Sequence, residues 1–183
     1  MYNLSKNQQV IYSLDLLSDS LFNLLKTENL NDITITEICN NTNINRRTYY
    51  RNCENILDLI IYKMDKMICE IINNTDWNSK DERKLYTKFF NYWYNQKFYL
   101  LIIKRQDLFS IFFNRFKIQL NNITYPFMEV ILEGKNKFEN IKSYYNSFII
   151  GGLINILECW VENHFNIPIN DLIDMLCSLA PLH

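Results

Sequence analysis

Apolar residues recur along this chain at the three- and four-residue steps of a helix, and no stretch alternates at the two-residue step of a strand. Val10, Leu14, Leu17, Leu21 and Leu24 form one such stripe, preceded by Ser5 and Gln8 at capping-box spacing, which predicts one long first helix. Thr34 with Glu37 repeats that spacing ahead of a second helix whose Ile35 and Ile38 face inward. Asn41-Thr42-Asn43 interrupts it, because short polar side chains bond their own backbone and Asn tolerates the left-handed conformation. Asn45 can cap a short third helix, and Asn55 a fourth that carries Leu57, Ile60, Met64, Met67 and Ile71 on one face.

Asn73-Asn74-Thr75-Asp76 is a polar break. Beyond it the pattern predicts aromatic helices around Leu85 to Tyr94 and Phe98 to Phe116, and another near Tyr125 to Leu132. A turn at Gly134-Lys135-Asn136, a long helix from about Phe138 to Glu162 and a last helix from Ile169 to Leu179 follow, with Pro168 suited to the start of the last. The expected fold is all-α: a three-helix head with a helix-turn-helix pattern over residues 1–53, a connecting helix over 54–73, and a helical bundle over 74–183.

The third helix carries the candidate chemistry. Arg46, Arg47, Thr48, Tyr49, Tyr50 and Arg51 display a row of hydrogen-bond donors where a core-filling helix would show apolar residues at helical spacing. Arg reads guanine bidentately in the DNA major groove, while Thr and Tyr hydroxyls and a helix N-terminus hold phosphates. The bland reading is a solvated arginine face with both tyrosines packed inward, and it is the commoner one for a short Arg-rich helix alone. The capped helix, the Asn turn and the second capped helix together favour DNA.

The pattern T-x-x-E-I-C-x-x-T-N-I-N-x-R-T-Y-Y-R-N-C-x-N, from Thr34 to Asn55, resembles the N-terminal helix-turn-helix of TetR/AcrR-type transcriptional regulators. The resemblance implies that Thr34 and Thr36 start a supporting helix near DNA, that Asn45, Arg46 and Arg47 meet base edges, and that Thr48 and Tyr50 contact the phosphate backbone. Asn52, where His is common, completes the expected DNA-facing set, and Tyr49 is expected to pack inward. Asn43 stands in place of a usual turn Gly. Cys53 replaces a common Phe, so a looser joint with the next helix is expected, and Ile56 replaces a common phosphate-binding Lys.

In such regulators the last two long helices pair with their copies in a second subunit. Carried onto this chain, that places Gly151, Gly152, Asn155, Ile156, Trp160, Leu172, Leu176 and Leu179 on a homodimer face. Gly151 and Gly152 cost helix stability relative to Ala, which suggests close approach of another backbone, a partner's or the chain's own. The C-terminal region is similar, less specifically, to a subgroup that includes activators of dihydroxyacetone-kinase operons.

Between head and dimer face, aromatic residues are dense. Phe89, Trp93, Phe109, Phe113, Phe116 and Phe148 are candidates to line a pocket for a small apolar or aromatic effector, although core packing is the commoner explanation for any one of them.

Composition changes this picture in two places. The 183 residues carry a formal charge of -1, which argues against coating a polyanion, and residues 1–73 hold seven Lys and Arg against nine Asp and Glu, a net of -2. Only the run from Ile44 to Cys53 is locally cationic, so DNA binding should depend strongly on salt. The five cysteines and two histidines show no ligand spacing, so buried thiols, no metal and no cofactor are expected. No phosphate loop, nucleophile elbow or patterned His argues for an enzyme. With no export signal and no bilayer-length apolar run visible, a cytoplasmic protein is expected. The sequence thus points to a TetR-type, ligand-responsive repressor that binds double-stranded DNA at a palindromic operator as a homodimer. The alternative is a helix-turn-helix relative that acts as a protein coactivator without strong DNA binding.

Overall fold

Local capping chemistry sets the first elements of the chain. In the computed structural model, which describes residues 8–76, 79, 81–121 and 139–179, the described residues are helical and contain no strand. Helix α1 (Gln8–Leu24) buries Val10, Leu14, Leu17 and Leu21 as the stripe requires, while Leu24 is half-buried and Leu25, just past the end, is fully buried. Ser5 lies outside the described residues, as do the expected helix near 125–132 and the turn at 134–136.

Helix α2 (Ile35–Thr42) is capped by Thr34, whose Oγ1 accepts the Glu37 N–H at 3.2 Å. It ends on Asn43 in the left-handed region, φ 55° and ψ 24°, where Gly would be the usual choice. Helix α3 (Arg46–Asn52) begins after Asn45, whose Oδ1 accepts the Arg47 N–H at 2.8 Å. Asn55 caps α4 (Ile56–Asn74) by accepting the Asp58 N–H at 3.2 Å.

The bundle is α5 (Glu82–Asn95), α6 (Lys97–Arg105), α7 (Phe109–Asn121), α8 (Glu139–Glu162) and α9 (Ile169–Leu179). The single helix expected around 98–116 is two. Asp107 adopts φ 56° and the Leu108 N–H reaches back to the Ile103 carbonyl at 2.9 Å, a left-handed closure that ends α6 and turns the chain into α7.

Helix α4 is the spine. It packs against α1 on one side and α7 on the other, so Leu59, Ile60, Met64 and Ile68 are all 0% exposed, where one stripe would have sufficed for a single neighbour. Its polar residues alternate between the same neighbours. Tyr62 Oη donates to Asp15 Oδ1 at 2.9 Å, Lys66 Nζ pairs with the same oxygen at 2.5 Å, and Lys63 Nζ pairs with Asp19 at 2.6 Å, all toward α1. Toward α7, the Arg115 guanidinium forks onto buried Asp65, with Nε to Oδ1 at 2.7 Å and Nη2 to Oδ2 at 2.5 Å. Elsewhere α2 packs on α1 and α3, α8 on α6 and α7, and α9 on α5. One hydrophobic core runs through all of it, from Val10 to Leu176.

Candidate nucleic-acid interface

The donor row on α3 divides cleanly by burial. Tyr49 is 0% exposed and points into the core, as the sequence led us to expect. Its hydroxyl has no hydrogen-bond partner among the described residues, and burial holds its ionisation far above the ordinary tyrosine range. Arg46, Arg47, Arg51 and Tyr50 are exposed, Tyr50 by 52%, and Thr48 is half-buried. Thr34, Thr36 and Asn45 are exposed at the starts of α2 and α3. The residues expected to approach DNA therefore share the solvent side of two short helices joined by residues 43–45.

Asn52 is the exception. It is 5% exposed, and its Nδ2 donates to the Thr48 carbonyl at 2.8 Å within its own helix. It supports the end of α3 and does not reach outward. The joint that Cys53 was expected to loosen is closed as well. Cys53 is 2% exposed, and buried Asp58 accepts the Glu54 N–H at 2.8 Å just ahead of the Asn55 cap. Burial, reinforced by the nearby Asp58 carboxylate, pushes the Cys53 thiol up to about 12. Ile56 is half-buried against the core.

The arginines of α3 stand in an unusual electrostatic setting. No acidic residue lies on the helix, and neither Arg47 nor Arg51 forms an ion pair with any described residue. Arg46 Nη2 donates to Tyr50 Oη at 3.5 Å, with the guanidinium 5.8 Å from the Tyr50 ring centre, so a neutral aromatic braces this charge one turn along. That hydrogen bond raises the Arg46 pKa further above its already high ordinary value. Arg51, part of the donor row read from the sequence though given no role by the family resemblance, is exposed one turn beyond Arg47.

A family model described as a transcriptional regulator C-terminal region, of the TetR type, matches residues 80–181. The chain belongs to the TetR family of transcriptional regulators. No curated protein and no solved structure matches it.

Within this TetR-family chain, the C-terminal residues singled out from sequence fall in different places. Phe89, Trp93, Phe109 and Phe116 are buried and Phe113 is half-buried, with the Trp93 ring 6.3 Å from Phe89, 5.0 Å from Phe112 and 6.1 Å from Phe116. The rings pack edge-on into one another. The Trp93 Nε1–H is buried among them without an acceptor among the described residues. Phe148 does not join this cluster: it is 75% exposed on α8.

The expected dimer residues also divide. Gly152 and Asn155 are exposed, and Gly151 and Ile156 half-buried. Trp160, Leu172 and Leu176 are instead covered by their own subunit. Trp160 packs 5.6 Å from Tyr94 and 5.9 Å from Phe90, donating its Nε1–H to the Ile167 carbonyl at 2.9 Å, while the buried side of α9 lies against α5. The Leu179 side chain lies outside the described residues. Among the described residues the large apolar groups exposed on α8 are Phe148 and Tyr144, 76% exposed, one and two turns ahead of Gly152 respectively. A Cβ added at either glycine would meet nothing within 4 Å.

Among the described residues no helix is long and apolar enough to cross a membrane.

Proposed function

We propose that this regulator binds double-stranded DNA as a homodimer through α3, reading a palindromic operator and repressing transcription until a small apolar or aromatic effector releases it. The observation that carries the reading is the outward row of Arg46, Arg47 and Arg51 on a helix without acidic residues. Exposed guanidinium groups without anionic partners among the described residues are free to meet phosphates and guanine edges. Thr34, Thr36, Asn45, Thr48 and Tyr50 supply flanking hydroxyl, amide and main-chain donors; Asn52 is left out because it faces inward.

A homodimer brings two such helices to successive major grooves about 34 Å apart. The exposed face of α8 supports that step. Two helical glycines whose Cβ positions are open within their own subunit are explained by an outside backbone approaching closely. Exposed Tyr144 and Phe148 provide apolar surface on the same helix. The effector step rests on the aromatic cluster of α5 and α7, where the Trp93 N–H, without an acceptor among the described residues, is the donor that a ligand would satisfy. An effector can act only by its difference in affinity for the DNA-competent and DNA-incompetent states.

The test is selection of duplexes from a random pool, followed by gel-shift titration of the enriched sequence across a salt series. Enrichment of an inverted repeat with steeply salt-dependent affinity is expected. A pool that stays random at low salt would refute the reading.

A further inference from the structure

Arg105 and Gln106, at the corner between α6 and α7, direct their side chains onto main-chain atoms of the segment that links α1 to α2. Arg105 Nη1 donates to the Lys26 carbonyl at 2.5 Å, and its Nη2 donates to the carbonyls of Leu25 at 2.5 Å and Glu28 at 2.9 Å. Gln106 Nε2 donates to the Glu28 carbonyl at 3.1 Å, and its Oε1 accepts the Leu30 N–H at 3.0 Å. These carbonyls follow the end of α1, where helix geometry leaves acceptors unsatisfied and a cation is favoured. The guanidinium fork and the donor-plus-acceptor amide together fix both the distance and the register of the segment. The left-handed Asp107, φ 56°, ends α6 at the point where both side chains reach across.

Lys104, the preceding residue, pairs with Glu158 at 2.9 Å and with Glu162, both on α8. Three consecutive residues at the end of α6, the last of them its C-cap, therefore connect α8, the helix assigned above to the dimer face, to the segment that carries α2 and α3. We propose that Arg105 and Gln106 are a latch that sets the orientation of α1–α3 relative to the dimerising helix, and so the separation of the two reading helices. They are positioning residues and touch no DNA. This inference rests on the DNA-reading dimer proposed above.

The test compares the full chain with Arg105→Ala and Gln106→Ala in two measurements. The first is affinity for the pool-selected palindrome and for a duplex carrying one half-site only. Loss of the latch should weaken palindrome binding roughly tenfold, within the usual range of coupling between distant sites, and leave half-site affinity unchanged. A general loss of folded structure would lower both alike. The second is amide hydrogen exchange, in which residues 25–34 should exchange faster while α5 and α9 keep their protection.

If Arg105→Ala fails to fold, Gln106→Ala, which removes one donor and one acceptor, carries the test alone. Equal losses on full and half sites, or faster exchange confined to α6 and α7, would overturn the latch. If the wild-type chain binds no DNA while residues 25–34 still open selectively in the variants, the latch stands as a device that orients α1–α3 and the DNA reading fails.

Discussion

Arg83, Arg105 and Arg115 are each held by groups of their own subunit, Arg83 by Asp174, Arg105 by three carbonyls and Arg115 by Asp65. Arg47 and Arg51, by contrast, meet no acidic group among the described residues, and Arg46 meets only the Tyr50 ring and hydroxyl. That contrast gives a residue-scale expectation. Arg47→Ala should cost roughly 1–3 kcal/mol per half-site and relax preference at one base position, whereas Tyr50→Phe should weaken binding to all sequences alike. Gel-shift titration against the selected duplex and its single-base variants measures both, and unchanged affinities would reject the assigned roles. Tyr49 is the internal control. Its buried hydroxyl lacks a partner among the described residues, so Tyr49→Phe should raise stability by about 1 kcal/mol in urea denaturation without altering DNA affinity. A destabilised variant would show that the hydroxyl is satisfied in solution.

At the scale of elements, α4 joins the two halves of the molecule through contacts of unequal strength. Its pairs with α1, such as Lys66 with Asp15, are partly exposed and therefore weak. The Asp65–Arg115 fork to α7 is more enclosed, with side chains 7% and 22% exposed, and neither charge can lose its partner cheaply. Arg115→Met alone should lower stability by about 3–5 kcal/mol, and the double variant with Asp65→Leu should recover most of the loss. Equilibrium urea curves test this, and a single variant as stable as wild type would contradict the pinned spine.

What the sequence revealed about these elements follows from the range of the chemistry. The α2–turn–α3 unit was legible because Thr34, Asn43, Asn45 and Asn55 act on backbone groups within three residues of themselves. The break at Asp107 was not, since Gln106, Asp107 and Leu108 carry no Gly, Pro or Asn, and the corner is held instead by bonds from Gln106 to residues about seventy-six positions away. Asn52 was misplaced for a different reason: the family resemblance alone set it outward, whereas its spacing, three residues beyond buried Tyr49, puts it on the inward side of α3, where its amide donates to the Thr48 carbonyl.

At the scale of the whole molecule, apolar spacing on α8 and α9 could not say which neighbour covers which stripe. Trp160, Leu172 and Leu176 are covered within their own subunit, and Tyr144 and Phe148 remain outside. The assembly prediction follows from this division. Phe148→Asp or Gly152→Leu should convert the chain to monomers in sedimentation, with helical content and urea midpoint nearly unchanged, because the Gly152 position is open within the subunit. A dimer that persists in both variants would place the interface elsewhere.

The central claim, that the outward arginines of α3 read duplex DNA, is tested most directly by selecting duplexes from a random pool with the wild-type chain and with Arg46→Ala/Arg47→Ala in parallel. The wild type should enrich an inverted repeat with half-sites about one helical turn apart, and the double variant should lose it at unchanged stability. An identical repeat enriched by both proteins, or none by either at low salt, would contradict it.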